Sequence, residues 1–260
     1  MGIYESDGFF DVTVNTHETS QGPVQLPILY FDTSNVMAFF LGRATAVKSL
    51  LQGTGLKPAL TLGRLAVVGL SFYEYRKTTV GEYNEVGLAI PVLPEGTAAP
   101  LAGLTDLYRD IGSREMGFHV LDLPVTTERA NAAGRELWGY PKFVTDIVFS
   151  LDDDHFHGKV LDPDERQMIL SLDGALGVGV TVPPLSPITY SRLGDSLLKT
   201  CVNVRGPVKL SHPWSMRLCV GSSSHPMATR LRLLGLEDAR VLALMSTHQF
   251  QSRLNEGEAT

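Results

Sequence analysis

The sequence predicts a mainly β domain, an antiparallel barrel or sandwich carrying a few peripheral helices. The observations behind this are runs of β-branched and aromatic residues, turn signals at fairly regular intervals between them, and only a few stretches with helical spacing. A chain of 260 residues fits one such domain, because all-β barrels of this size fold around a single core. Residues 1–260 are therefore read as one unit.

Residues 1 to about 25 are polar and rich in turn formers. Leu26 to Phe31 reads as a short apolar strand, with Asp32-Thr33-Ser34 as the cap of a following helix. That helix is expected over Asn35 to Leu51, where Val36, Phe39, Phe40, Ala44, Val47 and Leu51 recur at threes and fours before Gly53 and Gly55. Leu65 to about Val80, Glu85 to Leu93 and Met116 to Val125 read as strands. Thr126 to Leu137 reads as a short helix closed by Gly139 and Pro141. Phe143 to Leu151 alternates as a strand with one mainly apolar face. Further strands are expected at His155 to Leu161, Gln167 to Leu172, Gly177 to Val182, Leu197 to Val204 and Met216 to Val220. Ser224 to Leu234 has helical character, and the tail Asn255 to Thr260 is expected to fray.

Composition narrows the function. A hydrophobic share of 43% with 19% charged residues is that of a soluble globular protein with enough apolar material to enclose a pocket. A formal charge of −6 without clustered Lys and Arg argues against a nucleic-acid partner and leaves a small molecule. With only Cys201 and Cys219, neither a disulfide scaffold nor a Cys-rich zinc site is readable, and a cytoplasmic location is expected. No stretch is long and apolar enough to span a bilayer, and the start lacks the features of a secretory signal. Gly2 with Ser6 matches an N-myristoylation pattern, but Asp7 and the missing polybasic stretch argue against a membrane anchor.

Several motifs are set aside. His155 and His157 share a strand face without a third ligand, and Asp152-Asp153-Asp154 reads as a solvated turn, so no metal is expected. Gly174, Gly177 and Gly179 lack the spacing of a dinucleotide fingerprint. Ser222 to Ser224 lacks the frame of a nucleophile elbow.

Lys142 stands apart. It follows Pro141, with Trp138 and Tyr140 upstream and Phe143 and Val144 downstream, an unusually apolar setting for an ammonium. Burial there would disfavour the charged form and yield the neutral amine that attack on a carbonyl requires. On these residues alone, a Lys snorkelling from a strand end is the simpler reading.

The segment Gly134-Arg-Glu-Leu-Trp-Gly-Tyr-Pro-Lys142 resembles the signature of the acetoacetate decarboxylase superfamily, in which that Lys forms a Schiff base. Tyr83-Asn-Glu-Val-Gly-Leu-Ala-Ile-Pro-Val92 resembles the family's second block, whose active-site Glu corresponds to Glu85. The stretch from Gly221 through Met227 to Leu234 is similar to its closing segment. The resemblance implies an antiparallel β-barrel of acetoacetate decarboxylase-like type around a pocket, usually assembled into homo-oligomers. It implies Lys142 and Glu85 as catalytic residues, Tyr140 and Tyr83 as substrate-binding groups, a small oxo acid as substrate and no cofactor.

Two departures are visible. Phe143 stands where the decarboxylase has a second Lys, a cation that would lower the pKa of its neighbour. Neighbours in a strand point to opposite faces, so Phe143 need not reach the pocket. No Arg around Val24 to Tyr30 matches the family's carboxylate-binding Arg, leaving Arg43 and Arg76 as the candidates. The expected reaction is decarboxylation of a β-keto acid through an iminium and an enamine. An aldolase or aldolase-dehydratase acting on pyruvate-like oxo acids would use the same Lys142, and a non-catalytic barrel for a hydrophobic ligand is the alternative of another class.

Overall fold

The computed structural model describes residues 8–98 and 109–260; the Gly2 and Ser6 pattern lies outside them. The strands are β1 Asn15–His17, β2 Val24–Leu26, β3 Ile28–Arg43, β4 Leu56–Pro58, β5 Thr61–Leu62, β6 Leu65–Thr78, β7 Tyr83–Pro94, β8 Gly117–Val125, β9 Lys142–Val144 and β10 Ile147–Leu151. They continue as β11 His155–Leu161, β12 Met168–Ala175, β13 Gly179–Val182, β14 Ile188–Leu193, β15 Ser196–Arg205, β16 Val208–Ser211, β17 Arg217–Val220, β18 Ala239–Arg240, β19 Ala243–Leu254 and β20 Glu258–Ala259. The helices are α1 Ala44–Leu50, α2 Glu128–Trp138 and α3 Pro226–Leu234. None is long and apolar enough to cross a membrane.

Thirteen strands form one sheet, whose main path runs β13-β16-β19-β3-β6-β7-β8-β14-β15-β20. A further pairing between β15 and β19 returns this path to an earlier strand. The pairing is antiparallel except where β8 meets β14 and β9, which run parallel to it. A five-stranded sheet, β10-β11-β12-β17-β18, is antiparallel throughout. The mainly β expectation holds, with that parallel exception.

The expected helix over Asn35 to Leu51 is instead the second half of a 16-residue strand, β3, followed by the seven-residue α1. The reason is that β3 has two apolar faces. Val36, Ala38 and Phe40 are fully buried in the core outside the sheet, while Met37 and Phe39 face a cavity on its other side. Paired apolar positions on both faces imitate a spacing of threes and fours. Thr33 and Ser34, read as part of a cap, are buried within the same strand.

β6 and β7 repeat the pattern. Val68, Leu70 and Phe72, with Val86, Leu88 and Ile90, pack outward with Phe156, Leu170, Leu172 and Leu218 of the five-stranded sheet and with Met227 and Leu231 of α3. Burying each such side chain contributes roughly 1.5–3 kcal/mol, so this outer core holds the two sheets together.

Two further expectations are corrected. The strand over Phe143 to Leu151 breaks at Thr145, whose amide donates to Val125 and whose hydroxyl donates to Leu161, so β9 and β10 join different sheets. The tail does not fray: β20 pairs with β15, and Asn255 Nδ2 donates to the Cys201 carbonyl at 2.7 Å.

On the outer side of β8, Asp122 is 4% exposed and pairs with Arg230 of α3. Burial, opposed by Arg230, pushes its carboxyl up to about 7. An unfolded Asp titrates near about 4, so the folded state binds the extra proton between these values and loses stability as pH rises through them. Asp122→Asn removes this dependence. The urea midpoint of the natural protein, measured relative to the variant's, is expected to fall from pH 4 to pH 7 and to level off above.

Candidate active site

α2 brings Lys142 to its place. Thr127 caps the helix start, its hydroxyl accepting from the Ala130 amide, and Gly139 ends it at φ 68°, a left-handed conformation suited to glycine. The chain then turns so that Lys142 enters β9 opposite Leu123 of β8. Arg135 Nη1 donates to the Lys142 carbonyl at 2.8 Å. Glu136 accepts from the Ser20 amide and hydroxyl, and Trp138 Nε1 donates to the Asn255 carbonyl at 3.1 Å.

Gly134 has a steric role. A Cβ there would collide with Cε and Cδ of Lys142, so the amine's aliphatic stem lies directly on the helix backbone. Glycine in a helix interior costs about 1 kcal/mol relative to alanine, and close packing against Lys142 explains its presence.

The Lys142 stem leads to Glu85. Lys142 Nζ donates to Glu85 Oε2 in a short contact, with the two residues 7% and 8% exposed. Glu85 Oε1 also accepts from the Tyr75 hydroxyl at 3.2 Å. A carboxylate is the counter-charge that a buried ammonium requires. Tyr83 lies beside the pair, its ring centre 5.7 Å from Lys142 Nζ and its hydroxyl 3.2 Å from that of Tyr30.

The pair lies in the lining of a cavity of about 140 Å³. Its remaining polar lining includes Tyr30, Tyr73, Tyr75, Ser71, Ser252, and Tyr140 hydrogen-bonded to Thr189 at 2.7 Å. Phe39, Phe118, Phe250 and several aliphatic side chains supply apolar surface. Burial raises the phenols of Tyr73 and Tyr140 to about 12 and pushes those of Tyr30 and Tyr75 well above the ordinary phenol value, with Glu85 adding to each rise. All four therefore keep their protons near neutral pH and remain hydrogen-bond donors.

Lys142, Glu85 and Tyr140 are thus brought together at one cavity. Tyr83 is not part of the cavity lining and backs the pair instead. Phe143 points away, its ring 4.5 Å from that of His225 and packed on the outer core. Arg76 is held by Asp32, Glu74, Ser34 and the His248 carbonyl, and Arg43 reaches the Leu233 carbonyl; neither lines the cavity. His155 and His157 share the Asp173 carboxylate on an exposed sheet face. Sequence reasoning missed Tyr30, Tyr73 and Tyr75. The alternation of Ser71, Tyr73 and Tyr75 along β6 is the signal that could have placed the last two.

An amine and a carboxylate held together in an apolar cavity of a β-protein define a site for a small molecule. Residues 13–193 match the family model for acetoacetate decarboxylase (ADC). The chain belongs to that family, whose wider superfamily consists of lyases. No curated protein matches the chain. Its fold is similar to that of acetoacetate decarboxylase from Legionella pneumophila subsp. pneumophila str. Philadelphia 1, with TM-score 0.66 and 14% identity over 98% of this chain and 94% of that one. It is also similar to an acetoacetate decarboxylase-like enzyme from Sphingomonas wittichii RW1, with TM-score 0.61 and 14% identity over 91% of this chain and 94% of that one. The enduracididine biosynthesis enzyme MppR complexed with pyruvate aligns at TM-score 0.62 and 12% identity over 91% of each chain.

Proposed function

We propose that this protein is a Schiff-base-forming carbon-carbon lyase that decarboxylates a 3-oxo acid, with Lys142 as the amine. The carrying observation is the buried contact between Lys142 and Glu85 in an apolar, phenol-lined cavity. The circuit of strand pairings through β19, β3, β6, β7, β8, β14 and β15 is read as the barrel around it.

Passage of a proton from Lys142 to Glu85 leaves an amine lone pair free to add to the ketone carbon. The resulting carbinolamine loses its hydroxyl as water, taking the proton that Glu85 holds, and becomes an iminium. The bond between the carboxyl carbon and its neighbour then breaks. Carbon dioxide departs, and the electron pair moves into the iminium to give an enamine. Protonation of the enamine carbon and hydrolysis by water release the methyl ketone and restore Lys142. One oxo-acid anion and one proton become one ketone and one carbon dioxide. Tyr140, a neutral donor, would hold a substrate oxygen, while the Tyr75 hydroxyl donates to Glu85 and orients its carboxylate.

A second reading uses the same enamine to attack an aldehyde. It draws on the fold likeness to MppR in complex with the condensation product of pyruvate and imidazole 4-carboxaldehyde, and on the cavity surface beyond Lys142. Borohydride trapping with acetoacetate and with pyruvate, followed by peptide mass mapping, tests both. The expected adduct lies on Lys142 and carbon dioxide is released from acetoacetate; an aldol product formed with added aldehyde would favour the second reading. Absence of any adduct with either acid would sink both.

Gly134→Ala probes how the amine is seated. Overpacking at such a contact costs about 1–3 kcal/mol, against about 1 kcal/mol gained in helix propensity. The stem must move, and a displacement near 1 Å slows a positioned reaction about 10²-fold. Trapping is expected to slow by about that factor while the urea midpoint changes little.

A further inference from the structure

We infer that the substrate carries an apolar group larger than the methyl of acetoacetate, seated in a slot floored by Gly69, Ser71, Gly87 and Ala89; this rests on the Schiff-base reading of Lys142.

The slot follows from register. On adjacent strands β6 and β7, Tyr73 lies opposite Glu85, Ser71 opposite Gly87 and Gly69 opposite Ala89, and all six residues line the cavity. From the reacting end the floor therefore runs over two successive pairs of small residues. From Glu85 to Ala89 is four residue steps, about 13 Å. On β3, Met37 lies opposite Ser71 and Phe39 opposite Gly69; on β8, Val120 lies opposite Ala89. These apolar side chains wall a floor that has almost no side chains of its own.

Gly69 is small for no reason internal to the fold, and at Gly87 a single side-chain methyl is all that stands close. Neither has a positive φ. The atoms nearest to a Cβ on Gly69 would be the Ala89 carbonyl oxygen and the Phe39 ring, each at 3.8 Å, an ordinary contact. A Cβ on Gly87 would meet only the Leu123 Cδ1 methyl, at 3.3 Å, a tight contact relieved if that side-chain end shifts by a few tenths of an ångström. Glycine within a strand weakens it and marks places where a ligand comes close. Here the missing side chains leave room next to Glu85 and Lys142. The walls beside that room are hydrocarbon and aromatic, which suits an alkyl or aryl substituent on the ketone carbon of the 3-oxo acid. The reaction remains loss of carbon dioxide with gain of a proton, and its product is a methyl ketone bearing the same apolar group.

The test is borohydride trapping of the full-length protein with acetone, 2-butanone, 2-pentanone and 2-heptanone, paired with thermal shifts for the same ketones. The second-order rate of modification at Lys142 is expected to rise about threefold to fourfold per methylene. Gly69→Leu is expected to lower the ratio of the 2-heptanone rate to the acetone rate at least tenfold. Gly69→Ala, which adds a methyl with only ordinary contacts, is expected to lower it about threefold and guards against misfolding of the larger variant. If acetone modifies Lys142 and longer ketones do so no faster, the slot is overturned and the Schiff-base reading stands. If no ketone is trapped but the melting temperature rises with chain length, the slot stands and the amine chemistry falls. If neither occurs, both fall.

Discussion

Lys142→Ala is expected to abolish borohydride trapping and to lower carbon dioxide release from acetoacetate by at least about 10⁴-fold, the scale of losing a covalent nucleophile. Among the described residues, Lys142 is the only amine lining the cavity. Lys142→Arg should fail as completely, because a guanidinium keeps its proton and is a poor nucleophile. The comparison of Ala with Arg separates chemistry from charge: both lose the reaction, but only Ala leaves Glu85 without a cationic partner. A variant retaining more than about 1% of the activity would place the reacting group elsewhere.

Glu85→Gln has the next largest expected effect, on two measurements. The amide keeps an oxygen able to accept from Tyr75 but removes the charge opposite Lys142, and breaking a buried pair from one side costs about 3–5 kcal/mol. The urea midpoint should fall accordingly. Carbinolamine dehydration also loses its acid, a contribution of about 10²–10⁴-fold. Amine addition loses its base as well, so pre-steady-state trapping should show slow iminium formation. A stable Glu85→Gln protein with undiminished trapping would contradict both the structural and the chemical role.

How far the site was legible in the sequence depended on how local its signals are. Thr127 and Gly139 mark the ends of α2 by capping chemistry that needs no knowledge of distant strands, so the route to Lys142 was readable. The aromatic run around Lys142 correctly indicated burial. Glu85 was identifiable only through its flanking block, because a lone strand carboxylate reads as solvated. β3 was misread because its inner and outer faces are both apolar. β19 went unassigned: its pairing with β3 slips between Thr247 and Phe250 and again before Ser252, which disrupts period-two alternation. Alternation put Tyr73 and Tyr75 on one face of β6 with Ser71, but it does not say whether that face encloses a cavity, and Tyr30 carried no such signal. The strand partners that decide this are remote in sequence.

The alternation along β3, β6 and β7 has a practical consequence for redesign. Positions 37, 39, 69, 71, 73, 75, 85, 87 and 89, all odd, line the cavity, while 36, 38, 40, 68, 70, 72, 86, 88 and 90, all even, belong to the outer core; Tyr30, beyond the register shifts at Asp32, is the even exception that lines the cavity. Substrate choice and structural integrity are thus interleaved letter by letter in the gene yet separated by the thickness of a single sheet. A combinatorial library confined to those cavity-lining odd codons, with Glu85 held fixed, would vary what enters the cavity while the even positions keep the scaffold folded.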